Sequence, residues 1–249
     1  MKVLYFSGTS GILLPYRNKS YYPKDLKDRS RLAVYSLLFN SLEVNSTFYK
    51  IPRKETVERW SQETSDSFRF TFKLWKGITH PKDLIFEPSD VIKFLDIINS
   101  VDKKKGCLLI QLPPSTKFSS LTNLDKLLRC MATDKRSLDW QVCIEFRHQS
   151  WYRMETMALL NSYGMNLVLH DKDGTGINRQ YTGNDMIYIR FHGPKGDYKG
   201  SYEDAVLYEY SGYIKEWLAE GKEVHVYFNN TIGAAIANLR TLEEYIKRL

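Results

Sequence analysis

The chain has 249 residues, 43% apolar and 26% charged, and no stretch reaches the roughly 20 apolar residues of a bilayer-crossing helix, which argues against membrane insertion. Its net charge of +7 and pI near 9.1 favour anionic partners, nucleic acid and phosphorylated metabolites among them. Cys107, Cys130 and Cys143 have no CxxC spacing, which argues against a disulfide framework or zinc cage, and the leading MKVLYF run breaks at Ser7, Gly8 and Thr9, too soon for a secretory signal, so a cytoplasmic location is expected.

Eight short apolar runs follow in chain order: 3–6, 41–45, 68–75, 107–112, 142–146, 166–170, 186–191 and 223–228. Several are continuous and rich in Val, Ile and Leu, as parallel strands covered on both faces should be. Between them, apolar residues recur at three and four positions over 29–39, 55–63, 90–101, 121–131, 153–163, 204–220 and 234–249, which predicts helices. Alternation of this kind, in a chain of this length without linkers or tandem repeats, predicts one α/β domain over 1–249. The fold expected is a (β/α)8 TIM-type barrel, with an open doubly wound sheet as the alternative. One connection breaks the pattern. Residues 171–185 hold three glycines and no helical period, so the barrel is expected to be irregular around its sixth helix.

Side chains two apart on a strand share a face, so Glu145 and Arg147 point the same way, as do Arg190 and His192, Lys73 and Trp75, and Glu43 and Asn45. Nearly every strand turns polar at its carboxyl end, where barrels of this kind carry their active sites, and Gln111 and His170 occupy the same position on theirs. Three cations and His192 face the two carboxylates Glu43 and Glu145, a positive balance that a bound anion would complete. The alternative is an internally paired network that only fills the barrel.

Two loops add to the anion reading. GTSG at 8–11 follows the first strand and offers backbone N–H groups, although it lacks the full GxGxxG pattern. FNNTIG at 228–233 places Asn229 and Asn230 before the last helix, whose start is either an anion site or an ordinary cap. No cofactor is predicted. Glu43, Glu145, His170, Asp171 and His192 have the chemistry of metal ligands but no HxH or HExxH spacing, which leaves a divalent metal as a minority reading. His80 is a site histidine or a loop cap, and His225 a core histidine. Aromatic residues after the strands, including Tyr16, Phe48, Tyr49 and Trp75, offer stacking surfaces or simply close the core.

Several blocks together, GTSG, YYP at 21–23, LEVNSTFYKIP at 42–52, FRFTFK with KGITH, LLIQLPPS, EFRHQSW, YIRFHG and VYFNN with GAAIANL, resemble domain-of-unknown-function family 72, the YecE-like family. The resemblance runs in order over nearly the whole chain. It implies a TIM-type barrel and a shared pocket formed by Glu43, Asn45, Thr47, Tyr49, Lys73, His80, Gln111, Glu145, Arg147, His148, Arg190, His192, Asn229 and Asn230, and brings no established activity. A more distant analogy of fold to endonuclease IV-like and xylose isomerase-like barrels suggests metal-assisted chemistry. Where family members follow GTSG with a tryptophan-bearing segment, this chain has GILLPYRNKSYYP.

The reading that follows is an enzyme, a hydrolase or isomerase, acting on a phosphorylated or other anionic substrate. Lys73, Arg147 and Arg190 form the clamp, Glu43 or Glu145 the general base and His192 the general acid. The alternatives are a nucleic-acid-binding or endonuclease-like protein and a metabolite-binding barrel without turnover. The sequence is silent on oligomeric state.

Overall fold

The computed structural model describes residues 4–172 and 185–248. Eight strands alternate with helices: β1 (Tyr5–Thr9), β2 (Ser41–Val44), β3 (Arg69–Lys73), β4 (Lys105–Gln111), β5 (Gln141–Glu145), β6 (Asn166–His170), β7 (Met186–Phe191) and β8 (Glu223–Phe228). From β2 to β8 each strand pairs in parallel with the next, and β8 pairs with β1, so the order around the sheet is β1-β8-β7-β6-β5-β4-β3-β2. A parallel bridge between Ser10 and Glu43 joins the two ends into a barrel. All eight expected strands are present. The expected break in the sixth connection falls mostly on 173–184, outside the described residues.

Helices α1 (Arg31–Ser36), α3 (Lys54–Gln62), α5 (Pro88–Ile98), α6 (Leu121–Thr133), α7 (Met154–Ser162), α8 (Asp204–Ala219) and α9 (Ala235–Arg248) match the periodic segments. Local chemistry sets their starts: the Ser30 side chain accepts from Ala33 N at 3.0 Å to cap α1, and Pro88 opens α5, where its missing N–H costs nothing. Two single-turn helices, α2 (Ser46–Tyr49) and α4 (Lys76–Thr79), were not expected, because one turn is too short to show a period. The outward faces of the strands bury Phe70, Phe72, Ile110, Ile144, Ile189 and Val226 against residues such as Leu127, Ile214 and Leu239 of the helices. Inside the barrel a smaller apolar layer of Cys107, Leu109, Cys143, Val168, Met186, Tyr188 and Tyr227 forms a floor.

The seam between β1 and β2 is built from side chains. Asn40 takes the place of a neighbouring strand, accepting from Ser7 N and donating to Tyr5 O, both at 2.9 Å. The Tyr35 hydroxyl accepts from Thr9 N at 2.7 Å and donates to Ser41 O at 3.0 Å. Strand β1 runs on through Ser7, Gly8 and Thr9, past its apolar residues, because this seam requires small ones. A Cβ at Gly8 would lie 2.1 Å from the Ser41 carbonyl oxygen.

Candidate functional site

Above the apolar floor, at the carboxyl-terminal mouth, the inward positions turn charged. Glu43 on β2, Glu145 closing β5 and Arg190 on β7 are all buried. Arg190 donates Nε to Glu43 Oε2 at 2.9 Å, Nη2 to Glu43 Oε1 at 2.7 Å and Nη1 to Glu145 Oε2 at 2.6 Å. Ser10 Oγ adds a bond to Glu43 Oε1 at 2.6 Å, and the Tyr188 hydroxyl donates to Glu43 Oε2. Burial alone would raise both carboxyls. The guanidinium groups overcome it, so Glu43 is held below the usual carboxylate range by Arg190 and Glu145 well below it by Arg147 and Arg190.

Arg147, two residues beyond Glu145, pairs through Nη2 with Glu145 Oε1 and donates from the same nitrogen to His192 Nε2 at 2.9 Å. Its Nε and Nη1 are buried and have no hydrogen-bond partner among the described residues. The other ring nitrogen of His192, Nδ1, lies 3.3 Å from Asp171 Oδ1, and Asp171 also accepts from His192 N at 2.8 Å and from the Tyr202 hydroxyl. This arrangement fixes the tautomer: Nδ1 carries the proton and Nε2 accepts from arginine. Burial and the neighbouring guanidiniums, against the pull of Asp171 and Glu145, bring the His192 pKa down to about 4. His192 is therefore a neutral acceptor at physiological pH, poorly suited to the acid role expected for it.

On the opposite side of the mouth, Lys73 ends β3. Its Nζ donates to Gln111 Oε1 at 2.8 Å and stands 4.1 Å from the centre of the Phe48 ring, while Gln111 Nε2 donates to Leu112 O at 3.0 Å. Burial, then Arg190, lowers the Lys73 pKa from 10.5 to about 8, with Glu145 and Glu43 opposing. The His80 ring packs edge-to-face with Phe48, ring centres 4.8 Å apart, and its pKa is lowered to about 4, first by partial burial and then by Lys73 and Lys76. Tyr49 is exposed beside the same ring.

The remaining expected residues have local work. The Thr47 hydroxyl lies 2.8 and 2.7 Å from the carbonyls of Val44 and Lys73, locking α2 against β3. His148 caps the next turn, accepting from Ser150 N at 3.1 Å. Asn45 Oδ1 is buried and without a partner among the described residues, in a small apolar cleft shared with Gly11, Ile12 and Trp60. Asn229 donates its backbone N–H to Phe191 O at 2.7 Å, and Asn230 Nδ2 binds Gly200 O at 3.1 Å and Asn238 Oδ1 at 2.9 Å.

Neither loop expected to cradle an anion does so. Ser10 N and Gly11 N donate to Phe228 O and Glu43 O at 3.0 and 2.8 Å, so the GTSG amides close the barrel. Before α9, Ile232 N and Ala234 N are taken by Tyr198 O and Gly200 O, and a Cβ at Gly233 would meet Gly200 O at 2.2 Å. Close packing, not ligand binding, accounts for that glycine. Among the described residues no three His, Cys, Asp or Glu side chains come together as metal ligands, since the inner carboxylates are held by arginine.

A family model described as "Protein of unknown function DUF72" matches residues 6–248. The chain belongs to the DUF72 family. The UPF0759 protein YunF of Bacillus subtilis strain 168 is 25% identical over 250 residues, which cover 88% of this chain and 87% of YunF. A DUF72 family protein of Thermotoga maritima, TM1631, aligns at TM-score 0.74 and 26% identity over 99% of this chain and 98% of its own. A second, EF0366 of Enterococcus faecalis V583, aligns at TM-score 0.80 and 21% identity over 98% and 95%.

Some members of this DUF72 site escaped the sequence. Tyr188 stands two residues before Arg190, so the same spacing rule that paired Arg190 with His192 points to it. Ser10 lies in a motif whose signal is its backbone alone, and Phe48 offers a stacking surface or a core lid in the sequence, with nothing to point to Lys73. Tyr202 lies in a loop and carries no signal of its type or spacing. In the segment that follows GTSG, Tyr16 leans on Tyr22 with ring centres 5.3 Å apart.

Proposed function

We infer that this DUF72 chain is an enzyme that holds a small phosphorylated or other anionic substrate at the barrel mouth, between Arg147 and Lys73. The observation that carries this reading is the Arg147 side chain, 4% exposed, with Nε and Nη1 left without partners among the described residues. A buried guanidinium with idle donors is costly, and an oxyanion satisfies it in the planar, forked geometry that arginine offers. Lys73 supplies the second positive charge, since its hydrogen bond goes to a neutral amide and not to a carboxylate. Asp171 brings a third carboxylate to the rim, but both its oxygens are engaged by His192 and Tyr202.

The roles within the site follow from the bonding. Arg190, Glu43 and Glu145 form the rigid base that aims Arg147, and neutral His192 fixes the position of its Nη2. Glu43 and Glu145, held deprotonated by guanidiniums, are weak bases and act here as positioning residues.

The test is a thermal-melt series on the full chain with inorganic phosphate, sugar phosphates, oxo acids, nucleotides and short oligonucleotides. A ligand at 100 times its dissociation constant adds about 2.7 kcal/mol of stability. Stabilisation by one small anionic class, lost in Arg147→Gln, is expected. Stabilisation by oligonucleotides alone, falling steeply with salt and unchanged in Arg147→Gln, would instead support surface nucleic-acid binding.

A further inference from the structure

Lys73 is placed as a nucleophile as well as a cation. It is half-buried at the end of β3, with Gln111 Oε1 at 2.8 Å on one side and the face of Phe48 at 4.1 Å on another. Neither neighbour is a carboxylate that would hold its proton in an ion pair, and the ring keeps water from one flank. Burial, and then the positive charge of Arg190 and Arg147, opposed by the negative charge of Glu145 and Glu43, leaves the amine with a pKa of about 8. A lysine desolvated beside other cations is a recognised way to make an amine nucleophilic near neutral pH. Arg147, with its idle Nε and Nη1, supplies the complementary half: a donor for the anionic end of a small molecule whose other end faces the amine.

We propose that Lys73 forms a Schiff base with an anionic carbonyl compound, an oxo acid or a phosphorylated aldehyde or ketone, whose anionic group Arg147 holds. The proposal rests on the anion-site reading above and names its substrate class. In the step, the Nζ lone pair bonds to the carbonyl carbon and the C=O π pair moves to oxygen, which takes a proton. The nitrogen of this carbinolamine sheds a proton, its hydroxyl takes up a proton from solvent and leaves as water, and the nitrogen lone pair closes the C=N bond. Amine, carbonyl and one proton thus give a protonated imine and water, with no oxidant or reductant. The protonated imine withdraws electrons from the adjacent carbon, which opens proton loss or carbon–carbon cleavage beside the carbonyl.

The experiment is trapping with cyanoborohydride, which delivers hydride to the imine and leaves a stable secondary amine. The full chain is treated at pH 7.5 with glyoxylate or, in parallel, with uncharged glycolaldehyde, sampled at short times and mapped by peptide mass. Exposed Lys54 and Lys126 are internal standards. Glyoxylate is expected to label Lys73 at least tenfold faster than either standard, because at pH 7.5 an amine with a pKa of about 8 is roughly a quarter unprotonated, whereas at the ordinary lysine value roughly a thousandth is. Excess inorganic phosphate, which competes for Arg147 and favours the protonated form of Lys73, is expected to slow labelling by both aldehydes, and labelling by glyoxylate the more. Labelling of Lys73 no faster than of Lys54 by either aldehyde, while phosphate still raises the melting temperature, overturns the Schiff base and leaves the anion site standing. The same slow labelling with no phosphate effect on melting overturns both. Fast labelling by both aldehydes that phosphate does not slow overturns the pairing of Lys73 with an anion at Arg147.

Discussion

Arg190 grips Glu43 with two parallel hydrogen bonds, Nε to Oε2 at 2.9 Å and Nη2 to Oε1 at 2.7 Å, in the closed interior of the barrel. Removing one partner of such a pair strands the other as a bare buried charge. Arg190→Met, which also takes a contact from Glu145, is expected to cost about 3–5 kcal/mol in urea unfolding. A variant within about 1 kcal/mol of wild type would mean that something other than this guanidinium balances Glu43.

Two glycines should respond in opposite directions to the same substitution. At Gly8 the added methyl meets the Ser41 carbonyl at 2.1 Å, and backbone cannot swing aside. Gly8→Ala is expected to destabilise by about 1–3 kcal/mol or more, as overpacking does. Gly212 lies inside α8 with nothing within 4 Å of the added carbon. Gly212→Ala should stabilise by about 0.5–1 kcal/mol. Melting curves of the two variants check both signs, and equal shifts would contradict the seam.

Acid should weaken the fold through its buried histidines. His192 has a pKa near 4 when folded and 6.5 as its ordinary value, so below pH 6.5 the unfolded chain takes up a proton that the folded chain refuses. Stability is therefore lost as pH falls, by about 2 kcal/mol from His192 between pH 6.5 and 4.5. His80 and His170, also lowered, act in the same direction, while Glu243, raised by burial, acts against them. Unfolding midpoints over this range should fall more steeply for wild type than for His192→Asn. Parallel curves would place a charged imidazole in the folded protein.

Affinity for an anion should carry the signature of Lys73. Its amine is charged below a pKa of about 8 and neutral above it, so binding of sulfate, which does not itself titrate here, should weaken as pH rises through that value. The slope should approach about tenfold per pH unit and flatten in Lys73→Met. Calorimetric titration between pH 7 and 9.5 reads it directly. A flat wild-type profile would remove Lys73 from the site.

The architecture was legible because it rests on periods that repeat. Eight apolar runs alternating with seven amphipathic ones survive small errors in any single boundary, and the two-residue spacing placed Glu145, Arg147, Arg190 and His192 on inward faces. What spacing does not encode is who bonds to whom across the barrel. Glu145 looked like a base until the structure showed arginines on both its oxygens, and His192 looked like an acid until its Nε2 proved to face guanidinium nitrogens. The glycines of GTSG and of 228–233 suggested room for a ligand, and the room is filled by neighbouring backbone.

The seam between β1 and β2 gives Glu43 a double allegiance. Its backbone carbonyl receives Gly11 N at 2.8 Å, its carboxylate receives Ser10 Oγ at 2.6 Å, and Arg190 ties it across the interior to β7. The residue is a rivet in the last joint of the cask as much as part of its mouth. A genetic screen for lost activity would return Glu43, Ser10 and Arg190 for mechanical reasons, whereas Lys73, whose amine meets a side-chain amide and a ring face, is the position where chemistry and assembly come apart.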